Sequence, residues 1–207
     1  MARTRSRPAP DAPPATGVGE RILATASDLF YREGVRAVGI QRVIDEAGIA
    51  KASLYAHYAS KDELVAACLS RQGDCWRASV EDGLRDRSLD ARSKLLRIFD
   101  LQSERIARPG FRGCMFQNTG TEFAGGDHPA NAVTATYRRW LHDLFASLVR
   151  EAGLRNPDAV AGALIVLHDG SAASAQVDGN PEAARHARWA AEQLLDAHSP
   201  TRRTKRR

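Results

Sequence analysis

Five side chains in the middle of this 207-residue chain have the types needed for covalent or metal chemistry: Cys114, Glu122, His142, His168 and Asp169. They could furnish a cysteine hydrolase or a metal centre, but their spacing matches neither. His168 and Asp169 are adjacent, so on a helix they point about 100° apart. Cys68, Cys75 and Cys114 show no metal-ligand spacing. No glycine-rich phosphate loop or dinucleotide fingerprint occurs. We therefore assign no catalytic residue, no metal site and no cofactor; structural histidines and a buried thiol are the simpler account. A second group offers recognition chemistry instead. Gln41, Arg42, Lys51, Ala52, Ser53, Tyr55, His57, Tyr58 and Lys61 gather cations and hydrogen-bond donors into one short stretch.

That stretch must be positioned by helices. Ile40, Val43, Ile44 and Ala47 recur at helical spacing, and Gly48 follows where a helix can end in the left-handed conformation. From Lys51 to Tyr58 only Leu54 and Tyr58 are clear apolar anchors. A helix that short is unstable alone and makes poor core. It suits the DNA major groove, which admits one helix and displays donors and acceptors for its side chains. The spacing therefore predicts a helix-turn-helix. Lys51, Tyr55, His57 and Lys61 are expected to hold phosphates, and Ala52 and Ser53 to face base edges. Upstream, Ile22, Leu23, Ala26, Leu29 and Phe30 predict a bracing helix over 18–33 that Gly34 ends. Ser60 opens the next helix with a capping box closed by Glu63.

At these residues the chain resembles the DNA-binding domain of TetR-type bacterial transcriptional repressors. The resemblance is carried by Ala47-Gly48-Ile49, Lys51, Leu54-Tyr55, His57-Tyr58 and Ser60 to Leu64, and it extends upstream to Ile22. Val38 and Ala50 stand where the family commonly has Ser or Thr, so side-chain caps are missing before two helices. The resemblance implies an all-α fold of about nine helices and a homodimer on a short palindromic operator in double-stranded DNA. It also implies release by a small molecule.

Composition agrees with a helical protein. Alanine is abundant and aromatics are only 6%, which favours helix over sheet. No apolar run of about 18 residues occurs, and the arginine-bearing start lacks a following apolar segment, so neither a membrane span nor a secretory signal is expected. An odd number of cysteines points to reduced thiols and a cytoplasmic location. The net charge of +5 sits at the ends. Arg3, Arg5 and Arg7 lie in the arm, and Arg202, Arg203, Lys205, Arg206 and Arg207 in the tail, leaving the body slightly acidic. High pI thus does not by itself locate a DNA-binding face.

The expected organisation is a disordered basic arm over 1–16, a DNA-binding domain over 17–63, an effector and dimerisation domain over 64–198, and a basic tail over 199–207. The arm is a candidate for added phosphate or minor-groove contacts. In the body, periodicity predicts a long fourth helix to about Gly83, carrying Cys68 and Cys75 as core residues too far apart to bond. Another helix runs over 89–106. If 111–123 is helical, Cys114, Asn118 and Glu122 share one stripe, and Met115, Thr119 and Phe123 an adjoining one. The Cys114, Asn118, Glu122 pattern resembles the start of the ligand domain in a subset of TetR-type repressors. Pro129, Pro157 and Pro181 mark three further helix starts, with Asn156 and Asn180 expected to cap two of them.

An effector pocket for a small apolar or aromatic molecule is expected from Phe99, Gln102, Arg105, Cys114 and Met115 together with Asn118, Glu122, Phe123, Tyr137, Trp140 and His168. The bland alternative has Asn118 and Glu122 satisfying backbone groups at a chain turn. A dimer contact is expected from Val160, Ala163, Leu164, Leu167, Gly170 and Ser174 on one helix, and Ala187, Ala191, Leu194 and Leu195 on the last. Two rivals to an effector-released repressor stand beside this reading. One is a structural DNA-binding protein without a ligand; the other is a repressor triggered by oxidation of Cys114.

Overall fold

Local signals in the chain translate directly into helix limits. The computed structural model describes residues 17–199, and nine helices and no strand occur among them. The basic arm and the arginine-rich tail lie outside the described residues. No described helix is long and apolar enough to cross a membrane. α1 (Val18–Glu33) buries Ile22, Ala26, Leu29 and Phe30 and stops at Gly34. α2 (Ile40–Ala47) ends at Gly48, whose φ of 61° lets its N–H reach the Asp45 carbonyl while the Ile49 N–H reaches Ile44. This Schellman closure satisfies two carbonyls the helix would leave open. α3 (Lys51–His57) follows with Ala50 as an N-cap that makes no side-chain bond.

α4 (Lys61–Gly83) begins behind Ser60, whose Oγ accepts the Glu63 N–H at 3.1 Å. Glu63 reaches back to the Ala59 N–H at 2.7 Å, one residue beyond the expected box. α5 (Ala91–Ile106) is capped by Asp90, and α6 is the short Met115–Glu122. α7 (Pro129–Glu151) starts at a proline, with the His128 Nδ1 accepting the Ala130 N–H. α8 (Pro157–Val177) also starts at proline, but Asn156 makes no side-chain cap. Asn156 is instead in the left-handed region at φ 53°, where its side chain does not meet the helix start. Before α9 (Ala183–His198), Asn180 Oδ1 accepts the Glu182 N–H.

The helices form two compact units. The first contains α1 to α3, α4 as far as Gln72, α6 and the start of α7. Here α2 and α3 pack on α1 around Ile22, Leu29, Leu54, Leu64 and Leu69, all fully buried. The second contains the rest of α4, α5, most of α7, α8 and α9. In it α8 and α9 pair, α5 packs on both, and Phe99, Phe145, Leu141, Leu164 and Leu195 fill the core.

This packing corrects one set of expectations. Val160, Leu164, Ala191 and Leu195 are at most 1% exposed, and Ala187 is buried too, so they serve the protomer's own core rather than a contact with a second copy. The largest apolar stripe of a paired helix goes to its own unit first. Of the expected interface, Gly170 is exposed and Ala163, Leu167, Ser174 and Leu194 are half-buried.

Cys68 is covered by α1, with Sγ 3.9 Å from the Leu23 carbonyl, and burial pushes its thiol up to about 12. Cys75 is exposed, against the expectation that both are core. Brief treatment of the native protein with iodoacetamide is expected to label Cys75 alone, and Cys68 and Cys114 only after unfolding. Peptide mass spectrometry reads the result; early labelling of Cys114 would contradict its burial.

Candidate DNA-binding interface

α3 shows the pattern of a recognition helix in geometry as well as in sequence. Leu54 is its one fully buried residue, while Lys51, Ala52, Tyr55 and His57 are exposed and Ser53 is half-buried. The Lys51 ammonium lies 6.0 Å from the Tyr55 ring centroid, so the two form one exposed cationic and aromatic surface. At its far end His57 lies against the start of α1: a Cβ on Gly19 would stand 3.0 Å from His57 Nδ1. Gly19 therefore keeps the helices close, a role its sequence position did not announce. Gln41 and Arg42 are exposed on α2 but engaged locally. Gln41 Nε2 donates to Asp45 at 2.8 Å, and Arg42 lies 3.4 Å from Glu33 and 3.5 Å from Glu46. Tyr58 is half-buried, and burial first, then nearby anionic groups, raise its pKa.

Lys61 departs from its expected role. Its Nζ donates to the Val35 carbonyl at 2.6 Å and sits 5.9 Å from the Phe30 ring. Burial lowers its pKa against the opposing pull of Asp62 and Glu122. The ammonium thus ties α4 to the α1–α2 turn instead of reaching outward to a phosphate. The other side of that turn is held by α6. Glu122 accepts the Val35 N–H at 3.0 Å and the Arg36 N–H at 2.6 Å. Phe123 stacks on His128 at 3.8 Å, with the Arg36 guanidinium 5.4 Å from its ring.

Glu122 and Phe123 were expected in an effector pocket, and that expectation is corrected here. The carboxylate is committed to two backbone donors, and the half-buried ring is stacked on His128. The alternative that Glu122 satisfies backbone at a turn is the one the geometry supports. The glycine-bearing loop after Phe123 is also tied down, because Asn131 Nδ2 donates to the Gly126 carbonyl at 2.6 Å. Cys114 lies immediately before α6, and Asn118 is half-buried within it.

The remaining pocket candidates fall in the second unit. Phe99, Gln102 and His168 come together in its core, with Trp76 and Phe145, which sequence reasoning missed. Arg105 lies over the Trp76 ring at 5.3 Å. Tyr137 is buried, and desolvation raises its pKa. Trp140 is placed elsewhere: it lines an open surface groove of about 530 Å³ with Thr136, Asp143 and Ser147, under the Arg77 guanidinium. Met115 is buried at the start of α6.

Comparison with known proteins places this arrangement. Residues 22–68 match the family model for bacterial regulatory proteins of the tetR family. A TetR-family transcriptional regulator of known structure from Streptomyces coelicolor is 31% identical, with a TM-score of 0.83 over 88% of this chain and 96% of that one. The chain belongs to the TetR family of transcriptional regulators. A second TetR-type structure, from Streptomyces avermitilis, is 30% identical with a TM-score of 0.78, covering 88% of this chain and 98% of that one. The transcriptional regulator AcuR of Cereibacter sphaeroides is 25% identical over 87% of this chain and 84% of its own length. As a TetR-family regulator, the chain is a DNA-binding protein, and its all-α architecture is that of the family's solved structures.

The contrast between Lys51 and Lys61 is testable. Lys61→Met and Glu122→Ala are each expected to destabilise the fold by about 1–2 kcal/mol through lost bonds to the turn. Lys61→Met should leave the salt dependence of DNA binding unchanged, whereas Lys51→Ala should lower its slope by about one. Thermal denaturation and binding titrations at several salt concentrations check both; a slope reduced by Lys61→Met would return that ammonium to the phosphates.

Proposed function

We propose that this TetR-family chain is a cytoplasmic homodimeric repressor that binds a short palindromic operator and is released by a small effector. The observation that carries the reading is α3, a seven-residue helix with one buried anchor and an outward face of Lys51, Ala52, Tyr55 and His57. Lys51, Tyr55 and His57 hold phosphates in this reading. Ala52 and Ser53 meet base edges, through a thymine methyl and a single hydrogen bond. Such a short reading surface gives modest discrimination, so specificity requires two heads on two half-sites about one helical turn apart.

The surface that supplies the second head is the outward stripe of α8 and α9. Val166, Val177 and Trp189 are 70%, 81% and 66% exposed, and Gly170 and Ala173 complete a run of small and apolar residues. Large apolar side chains exposed along two neighbouring helices mark a partner contact, and a C2 pairing of the same two helices buries them as a four-helix contact. Ala163, Leu167, Ser174 and Leu194 border this stripe. A trigger at Cys114 has less support, because the thiol is only 8% exposed.

Trp189→Glu and Val166→Glu are expected to give monomers that keep full helical content, since both positions face outward in the protomer. Leu164→Glu, a core position, is expected to unfold the second unit, because an unpaired buried carboxylate costs several kcal/mol. Light scattering and circular dichroism separate these outcomes, and dimers in both exposed-site variants would remove the stripe as the interface. Footprinting decides between regulator and coating protein: one short protected palindrome supports the former, uniform protection the latter.

A further inference from the structure

The second unit contains polar atoms that its own fold leaves without partners. His168 is 3% exposed and lies among Trp76, Phe99 and Phe145, with ring centroids 6.1, 6.3 and 6.1 Å away. Neither imidazole nitrogen makes a hydrogen bond of ordinary length. The nearest carboxylate oxygen, Asp169 Oδ1, is 3.6 Å from Nδ1, and the other oxygen of that carboxylate is bound to Arg138 at 2.6 Å. Trp76 Nε1 and Gln102 Oε1 are likewise buried and unpartnered. Gln102 is fully buried, and its amide nitrogen makes one long bond, 3.5 Å, to the His168 carbonyl. Buried polar atoms are paired in the great majority of cases, and each unpaired one costs about 1–3 kcal/mol. Three neighbouring side chains left this way form a recognition surface turned inward.

Charge narrows what that surface takes. The Arg105 guanidinium lies 5.3 Å from the Trp76 ring and 6.0 Å from the Phe111 ring, and it pairs with no carboxylate among the described residues. Burial lowers the pKa of His168; Asp169 opposes this, and Arg105 and Arg138 add to it. Burial thus favours the neutral imidazole, which offers one donor and one acceptor. Trp76 and Arg105 offer donors only, so an acceptor-rich, negatively charged group suits that side. Gln102 Oε1 asks for a donor. The walls are aromatic faces and edges, which favour a flat ring.

We propose that Trp76, Phe99, Gln102, Arg105, Phe145 and His168 form the effector site, and that the effector is a small aromatic carboxylate. Its carboxylate meets Arg105 and the Trp76 N–H, its ring lies among the aromatic side chains, and a ring hydroxyl, where present, donates to Gln102 Oε1. Cationic effectors are disfavoured by Arg105 and Arg138. Phe99 and Phe145 are fully buried, so an entering ring has to displace them from their tilted and edge-on contacts. The polar atoms then decide affinity. This inference rests on the reading of the chain as an effector-released regulator and names the chemical class of that effector.

The test is calorimetric titration of the full chain, without DNA, using benzoate, 4-hydroxybenzoate and cinnamate, with 4-hydroxybenzamide as the neutral counterpart. At least one acid is expected to bind, and 4-hydroxybenzoate should exceed its amide by tenfold or more. Arg105→Gln is expected to abolish that preference while leaving the amide unchanged. Gln102→Leu should raise the thermal stability of the protein without added acid and weaken 4-hydroxybenzoate but not benzoate. Trp76→Phe, which keeps the ring and removes the N–H, provides a second variant should Gln102→Leu fold poorly, and it should weaken all three acids. The proposal is overturned if none of the acids binds at millimolar concentration. It is also overturned if Arg105→Gln leaves the acid-to-amide ratio intact, or if Gln102→Leu lowers stability without changing binding, which would mark the cluster as a hydrated structural core. Footprinting of the wild-type chain without any acid is run in parallel. Intact operator protection with no acid binding defeats this proposal alone, whereas loss of protection defeats the regulator reading itself.

Discussion

A seven-residue helix with one buried anchor cannot hold its own shape, and the first unit is arranged around that constraint. Nucleating a helix costs more than a few hydrogen bonds return, so α3 exists only because other elements fix its ends. The Schellman turn at Gly48 sets its start, and α1 receives Leu54 on its side and His57 near its end. The α1–α2 turn that joins this frame is itself held from two directions, by Lys61 on its carbonyl and Glu122 on two of its N–H groups. An outward polar face on α3 is possible because these bonds lie elsewhere. The outward side chains of α3 are thereby spared from holding the fold.

The second unit meets a different constraint, the conflict between filling a core and keeping polar atoms available inside it. Phe99, Phe145, Leu141, Leu164 and Leu195 provide the apolar mass. Around His168 the same core leaves Trp76 Nε1 and Gln102 Oε1 unsatisfied, at a free-energy cost that a packed apolar substitute would avoid. By contrast, the ion pairs Arg92–Asp196 and Arg188–Asp100 are substantially exposed and contribute little each. Unsatisfied polar atoms in a core are a departure from good packing of the kind expected at functional sites, and the proposed effector site lies here.

α8 and α9 carry two apolar stripes, and the difference between them separates folding from assembly. Leu164 and Leu195 face inward and are fully buried, while Val166 and Trp189 face outward and are largely exposed. A carboxylate on the first stripe attacks the protomer, and one on the second leaves it intact. That distinction is invisible to periodicity, which sees apolar residues on both stripes and cannot rank them by depth.

Helix limits were legible from the sequence because their causes are local. Gly34 and Gly48 end helices, Ser60 caps one, and Pro129 and Pro157 begin others, each through bonds or torsions within a few residues. The all-α class, the helix-turn-helix and the family followed from the same short-range signals. Tertiary structure decided which way particular side chains went. Lys61 turns to a carbonyl 26 positions away instead of outward, and Glu122 reaches backbone 86 and 87 positions distant. Trp76, Gln102 and His168 meet in one core only because α4, α5 and α8 share it. Local pattern assigns a residue to a helix, and to a stripe on that helix. Which stripe is buried, and what an isolated charge or polar atom finds opposite it, depends on contacts between distant segments that no local spacing encodes.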